Sequence, residues 1–145
     1  MKVLLLEDDI ALSDLLNEHL EDKGYEVTLC TNGQEALEAL IDKKFDIALL
    51  DINTPVITGI EVLKRVRIEY KNNTPIIILT AYQDTKHLKE SFENGVDDYI
   101  KKPFDLEELD QRILKLCRQF LIEQDEKIKI DENLFFEPLS SQIFR

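Results

Sequence analysis

Five short apolar runs, each closed by polar residues and separated by stretches with helical spacing, constrain the fold of this chain more than any other feature. The runs are KVLLL at 2–6, Tyr25 to Cys30, Phe45 to Leu50, PIIIL at 75–79, and a short segment holding Tyr99 and Ile100. They lack the strict alternation of a strand with one wet face, so they read as strands covered on both sides. Between them, Leu12, Leu15, Leu16 and Leu20 recur at steps of three and four, and Gly24 stops that helix. Ala36, Leu37, Leu40 and Ile41 form a second stripe after the turn Thr31-Asn32-Gly33, and Ile60, Leu63 and Val66 form a third. The fourth helical stretch, 84–94, is polar, with Leu88 and Phe92 as its anchors, and is expected to be the least firmly held. Leu106, Leu109, Ile113, Leu116 and Phe120 mark the fifth.

Strand and helix alternating five times predict an α/β fold: a five-stranded parallel doubly wound sheet with helices on both faces. The flavodoxin-like strand order 2-1-3-4-5 would make the first and third strands neighbours. A hydrophobic content of 43% over 145 residues is enough for one core. No apolar run is long enough to span a bilayer, and Met1-Lys2 leads straight into a strand instead of a signal peptide, so a cytoplasmic protein with no membrane partner is expected. Cys30 and Cys117 have no metal-ligand spacing and read as buried thiols in a reducing compartment. Thirty acids against 18 bases, a net charge of −12, argue against a nucleic-acid surface in this chain and suit a cation site or a basic partner.

In such a sheet all strand carboxyl ends share one edge, where ligands bind. Glu7, Asp8 and Asp9 follow the first strand, Asp51 the third, Thr80 the fourth, and Lys102 the fifth. Alone, Asp51 would be read as a strand end or a helix cap, Lys102 as a surface lysine, and Thr80 as a turn residue. Together, on one edge, they suggest a site. Carboxylates so close repel one another unless a cation sits among them, and Mg²⁺ prefers about six oxygen ligands, combining one or two carboxylates with phosphate oxygens. A lysine and a hydroxyl supply the remaining parts of a phosphate site, with Asp51 as the nucleophile that forms an acyl phosphate.

The motifs LLLEDD, LLDINTP followed by Gly59, ILTA at 78–81 and GVDDYIKKPF at 95–104 resemble the receiver domain of bacterial two-component response regulators, over roughly residues 1–120. The resemblance implies that Asp51 accepts a phosphoryl group from a sensor histidine kinase. Glu7 and Asp8 would be the metal-binding acids, with Asp51 and the backbone carbonyl of Asn53 completing the protein ligands for Mg²⁺. Lys102 and Thr80 would be the catalytic lysine and hydroxyl, and Thr80 and Tyr99 the switch pair. Asp9 falls one place past the acidic pair. The fourth helix, fifth strand and fifth helix would form the readout, a homodimer surface using Lys89, Asp97, Asp98, Glu108 and Arg112. Thr54 stands where Met or Leu is usual, and Asn53 where an apolar residue is common. A dephosphorylation rate unchanged by Asn53→Met would count against a role for the Asn53 side chain.

Residues 121–145 change character, with the alternation Ile128-Lys129-Ile130 and the apolar Leu134-Phe135-Phe136. They read either as a charged linker entering the first strands of a second domain or as a frayed tail. By resemblance they match the linker and start of a winged-helix transcriptional regulator's C-terminal domain, incomplete here, so DNA would be contacted only through that missing part. Two rival functions exist. DINTP echoes the D-x-D-x-T motif of haloacid-dehalogenase-like phosphohydrolases, but the second Asp is Asn53, which cannot act as general acid. An interaction module with an inactive site is the other, against which the intact acids, Thr80 and Lys102 argue. The expected protein is a self-phosphorylating and self-dephosphorylating switch, not a turnover enzyme.

Overall fold

The computed structural model describes residues 1–81 and 85–135, with side chains through 121. The elements run β1 (Lys2–Leu6), α1 (Ile10–Asp22), β2 (Glu26–Cys30), α2 (Gly33–Asp42), β3 (Ile47–Asp51), α3 (Gly59–Ile68), β4 (Ile76–Ala81), α4 (Thr85–Glu93), β5 (Asp98–Lys102) and α5 (Leu106–Phe135). All four strand pairings are parallel, in the order β2-β1-β3-β4-β5, as the alternation predicted.

The sheet's central strands are apolar except near their ends because both faces are covered. On one side Leu4, Leu6, Ala48, Leu50, Ile76 and Ile78 pack against Ala36, Leu37 and Leu40 of α2 and Ile60, Leu63 and Val66 of α3. On the other, Val3, Leu5, Ile47, Leu49, Ile77 and Leu79 pack against Leu16 and Leu20 of α1 and Leu109, Ile113 and Leu116 of α5. Each such fully buried Leu or Ile contributes about 2 kcal/mol. The helices start where side chains can cap them. Asp9, Asn32 and Thr58 accept from the backbone N–H groups of Leu12, Glu35 and Glu61. His19 of α1 is hydrogen-bonded to Asp110 of α5 at 2.8 Å, and the other Asp110 oxygen is 3.6 Å from Lys23, so a hydrogen bond and an ion pair also tie the two helices.

Three expectations change. Leu15 and Ile41, counted in the apolar stripes, are about half exposed, at the margins of their helices. In α4 Phe92 is exposed, its ring edge-on to Tyr99 at 5.4 Å, and Leu88 is only half-buried. The buried residue of α4 is Ser91, whose hydroxyl donates to the His87 carbonyl at 2.8 Å. A small residue lets the helix lie close, but it supplies little apolar anchoring. Finally, α5 does not stop near Phe120; it continues to Phe135, so Ile128-Lys129-Ile130, read as part of either a linker entering strands or a frayed tail, is helical. The sequence from 105 to 135 has no Gly or Pro, and acids precede bases by four residues at Glu123–Lys127 and Asp125–Lys129, a favourable helical spacing. The continuation expected at 136–145 lies outside the described residues.

The amino-terminal edge of the sheet is closed by a polar clamp. Arg67 of α3 donates to the carbonyls of Gly95 and Asn72, at 3.1 and 2.8 Å, and to the Asp97 carboxylate at 2.9 Å. That carboxylate also accepts from the Ile76 N–H at 2.8 Å, where β4 begins. The clamp fixes the approach to β5 and ties it to α3.

Candidate functional site

At the opposite edge, strand register sets the site. Leu6 pairs with Leu50, and Asp51 with Leu79, so the residues leaving β1, β3 and β4 meet. Glu7 is anchored by its N–H to the Cys30 carbonyl and is 1% exposed, Asp51 is 6% exposed, and Thr80 is 1% exposed. Asp8 is exposed at the rim. Ligand oxygens of Glu7, Asp8 and Asp51 all lie within 4.8 Å of one another. Lys102 reaches in from the end of β5, its Nζ 2.7 Å from Glu7 Oε1 and 3.5 Å from Asp51 Oδ1. Asp9, by contrast, caps α1 and donates its own N–H to Glu7 at 3.2 Å. The Thr80 hydroxyl donates to the Ala81 carbonyl at 3.4 Å, a weak bond.

Among the described residues one ammonium, that of Lys102, pairs with this cluster of three carboxylates, through Glu7 and Asp51, which leaves the pocket short of positive charge. Burial, followed by the Glu7 charge and a hydrogen bond shared with Glu7, pushes the Asp51 carboxyl up to about 7 against the pull of Lys102 and the Asn53 N–H. Burial works to lower the Lys102 ammonium, but its bond to Glu7 and the charges of Asp51 and Glu7 prevail and hold it above the usual lysine range. An all-oxygen donor set with excess negative charge is what a hard divalent cation requires, so the three acids could hold such an ion.

The loop from Asp51 to Thr58 is tightly braced. The Gly59 N–H donates to the Ile52 carbonyl at 2.9 Å, and a Cβ on Gly59 would fall 2.2 Å from the Asp51 carbonyl oxygen. From α2, the Gly33 N–H donates to the Pro55 carbonyl at 3.3 Å, and a Cβ there would lie 1.8 Å from the Ile57 oxygen. Both glycines are therefore needed for close approach. Between them the Ile57 N–H closes a three-residue turn on the Pro55 carbonyl at 2.9 Å, with Val56 at φ 71° and 79% exposed. A β-branched residue there is strained. In the sequence Gly33 read only as part of a turn, and its service to a loop on another element had no local signal.

The residues expected on the readout surface are placed less uniformly. Lys89 is exposed on α4. Asp97 belongs to the Arg67 clamp, and Arg112 of α5 bonds to Asp98 at 2.9 Å and Glu108 at 3.3 Å within the same chain. Tyr99 is half-buried beneath Phe92.

Fold and pocket together define a doubly wound α/β domain with a carboxylate cluster at its switch point. Residues 3–114 match the response regulator receiver domain, and the chain belongs to that family. It is 42% identical over 135 residues, 93% of this chain and 61% of the relative, to the transcriptional regulatory protein CrdR of Helicobacter pylori. The chain spans between half and two thirds of the length of the curated regulators it matches. Among solved structures, the receiver domain of the Francisella response regulator 1452 superposes with a TM-score of 0.76 at 34% identity, covering 82% of this chain and 98% of that one. The receiver domain of sensor histidine kinase PA1611 from Pseudomonas aeruginosa, with a magnesium ion coordinated in its active site cleft, gives 0.72 at 28% identity, covering 80% and 96%. Members of this family are signalling switches, not turnover enzymes. No helix among the described residues is long and apolar enough to cross a membrane.

Proposed function

We propose that this chain is a phosphoryl-accepting switch of a two-component system, with Asp51 as acceptor. The observation that carries the reading is a buried Asp51 with a lysine 3.5 Å away and two further carboxylates within 4.8 Å. Glu7, Asp8, Asp51 and the Asn53 backbone carbonyl would hold Mg²⁺, which when bound neutralises charge on the transferred phosphoryl oxygens. An Asp51 carboxylate oxygen attacks phosphorus in line. The new O–P bond forms as the P–N bond to the phosphohistidine of a sensor kinase breaks, and the electron pair leaves with the imidazole. Lys102, already hydrogen-bonded at the pocket, shortens its contact to Asp51 and meets the incoming charge. A groove of about 560 Å³ beside Lys102, lined by Leu12, Leu15 and Phe104, offers a partner protein apolar contact next to the pocket.

The phosphoryl group adds about 1.5 to 2 negative charges. The Thr80 hydroxyl, weakly engaged at rest, turns toward it, Tyr99 moves inward, and α4 shifts, since Ser91 and an exposed Phe92 anchor it lightly. The surface of α4, β5 and α5 then favours a homodimer in which Lys89, Asp97, Asp98, Glu108 and Arg112 contribute charges. For Asp97 and Arg112 this means sharing or exchanging the partners they hold within the chain. Transcriptional control would follow through a winged-helix DNA-binding domain beyond the part of the relatives spanned here, in the cytoplasm. Incubation with acetyl phosphate and Mg²⁺ tests the core of this. Mass spectrometry should find one added phosphoryl group in the unaltered chain and none in Asp51→Ala. Rapid turnover of many phosphate esters would instead favour the phosphohydrolase.

A further inference from the structure

Thr54 is a polar side chain buried to 7% exposure in the loop after Asp51. A hydroxyl out of water needs a partner, and this one donates to the Ile57 carbonyl at 3.1 Å. The bond spans the strained turn at Val56, so it links the pocket side of the loop to the side that the Gly33 and Gly59 contacts fix. Thr54 also follows Asn53 directly. The Asn53 carbonyl belongs to the peptide plane attached to the Thr54 Cα, and the N–H of Asn53 is 3.4 Å from Asp51 Oδ1. Rotation about Thr54 therefore turns that carbonyl.

We propose that Thr54 is a positioning residue for the acidic pocket: its hydroxyl, latched to the Ile57 carbonyl, holds the 53–54 peptide so that the Asn53 carbonyl serves the cation site. This rests on the reading of the pocket as a Mg²⁺ site. An apolar side chain of similar size would fill the same space but leave the Ile57 carbonyl without its donor and the peptide free to rotate. Residues that orient metal ligands from behind commonly affect metal affinity by about tenfold or more.

The test compares Thr54→Val, which keeps shape without the hydroxyl, with Thr54→Ser, which keeps the hydroxyl. Thr58→Ala serves as a control, since Thr58 caps α3 from the same loop through the Glu61 N–H without bonding to the pocket. Mg²⁺ affinity is measured by calorimetry with no phosphodonor present, and Tm is measured in EDTA. The expected result is about a tenfold loss of Mg²⁺ affinity in Thr54→Val, affinity within about twofold of the unaltered chain in Thr54→Ser, and a lowered Tm but unchanged affinity in Thr58→Ala. Unchanged affinity in Thr54→Val, or equal losses in Thr54→Val and Thr58→Ala, would overturn the positioning role and leave the Asp51 reading standing. Failure of the unaltered chain to bind Mg²⁺ would overturn both.

Discussion

The two edges of the sheet each gather charge, but only one of them balances it. At the amino-terminal edge Arg67 meets three acceptors, and Asp97 is satisfied by a guanidinium and a backbone N–H. At the carboxyl edge Glu7 and Asp51 share the Lys102 ammonium, with the Asp8 carboxylate beside them and no second cation paired to them among the described residues, and Asp51 is pushed up to about 7. The same sheet thus carries a completed network that holds the fold and an incomplete one that favours the arrival of a cation. Clustered charge by itself does not mark function; the surplus does.

The largest expected effect tests the balanced edge. Arg67→Ala leaves two carbonyls and most of a carboxylate unsatisfied, and should cost about 3 kcal/mol in urea denaturation. A cost below about 0.5 kcal/mol would erase the contrast. At the other edge the sign reverses. Because the folded chain holds the Asp51 proton to about pH 7 while an unfolded carboxylate loses it near 4, stability falls as pH rises across that window and the loss is complete above it. Asp51→Asn should therefore stabilise the metal-free protein by about 2 kcal/mol at pH 8 and by much less at pH 4, judged from denaturation in EDTA. Saturating Mg²⁺ should narrow the gap at pH 8; a gap that ignores both pH and Mg²⁺ would mean the carboxyl is already balanced. The smallest effect separates backbone strain from charge. Val56→Gly relieves the positive φ and should stabilise by about 1 kcal/mol at any pH, read as a rise in Tm.

Much of this was legible in the sequence because it was written locally. An apolar run ending in Asp51 predicts both a buried strand and a carboxylate at its carboxyl end, and the parallel order brings Glu7, Thr80 and Lys102 to the same edge. What could not be read was made by distant partners. Arg67 and Asp97 are ordinary surface charges until the end of α3 meets the start of β5, and the bonds that Asp97, Asp98 and Arg112 make within the chain join residues too far apart in sequence to be read from it. Phe92 reads as an anchor because a large apolar side chain usually is one, whereas Ser91 holds the buried position. The alternation Ile128-Lys129-Ile130 left a strand and a frayed tail both open because three residues can alternate by chance, while the charge spacing around them favours the helix found.

The close approach of Gly33 to Ile57 has a consequence for anyone who would rebuild this molecule. The acceptor loop is not a portable cassette. A chimera that carried residues 51–59 into another scaffold would transplant the nucleophile and its neighbours, yet would fail to seat them unless the recipient's second helix also began with a residue lacking a side chain. The unit of exchange is a loop plus a gap in a different helix, and swaps designed by contiguous sequence will miss half of it.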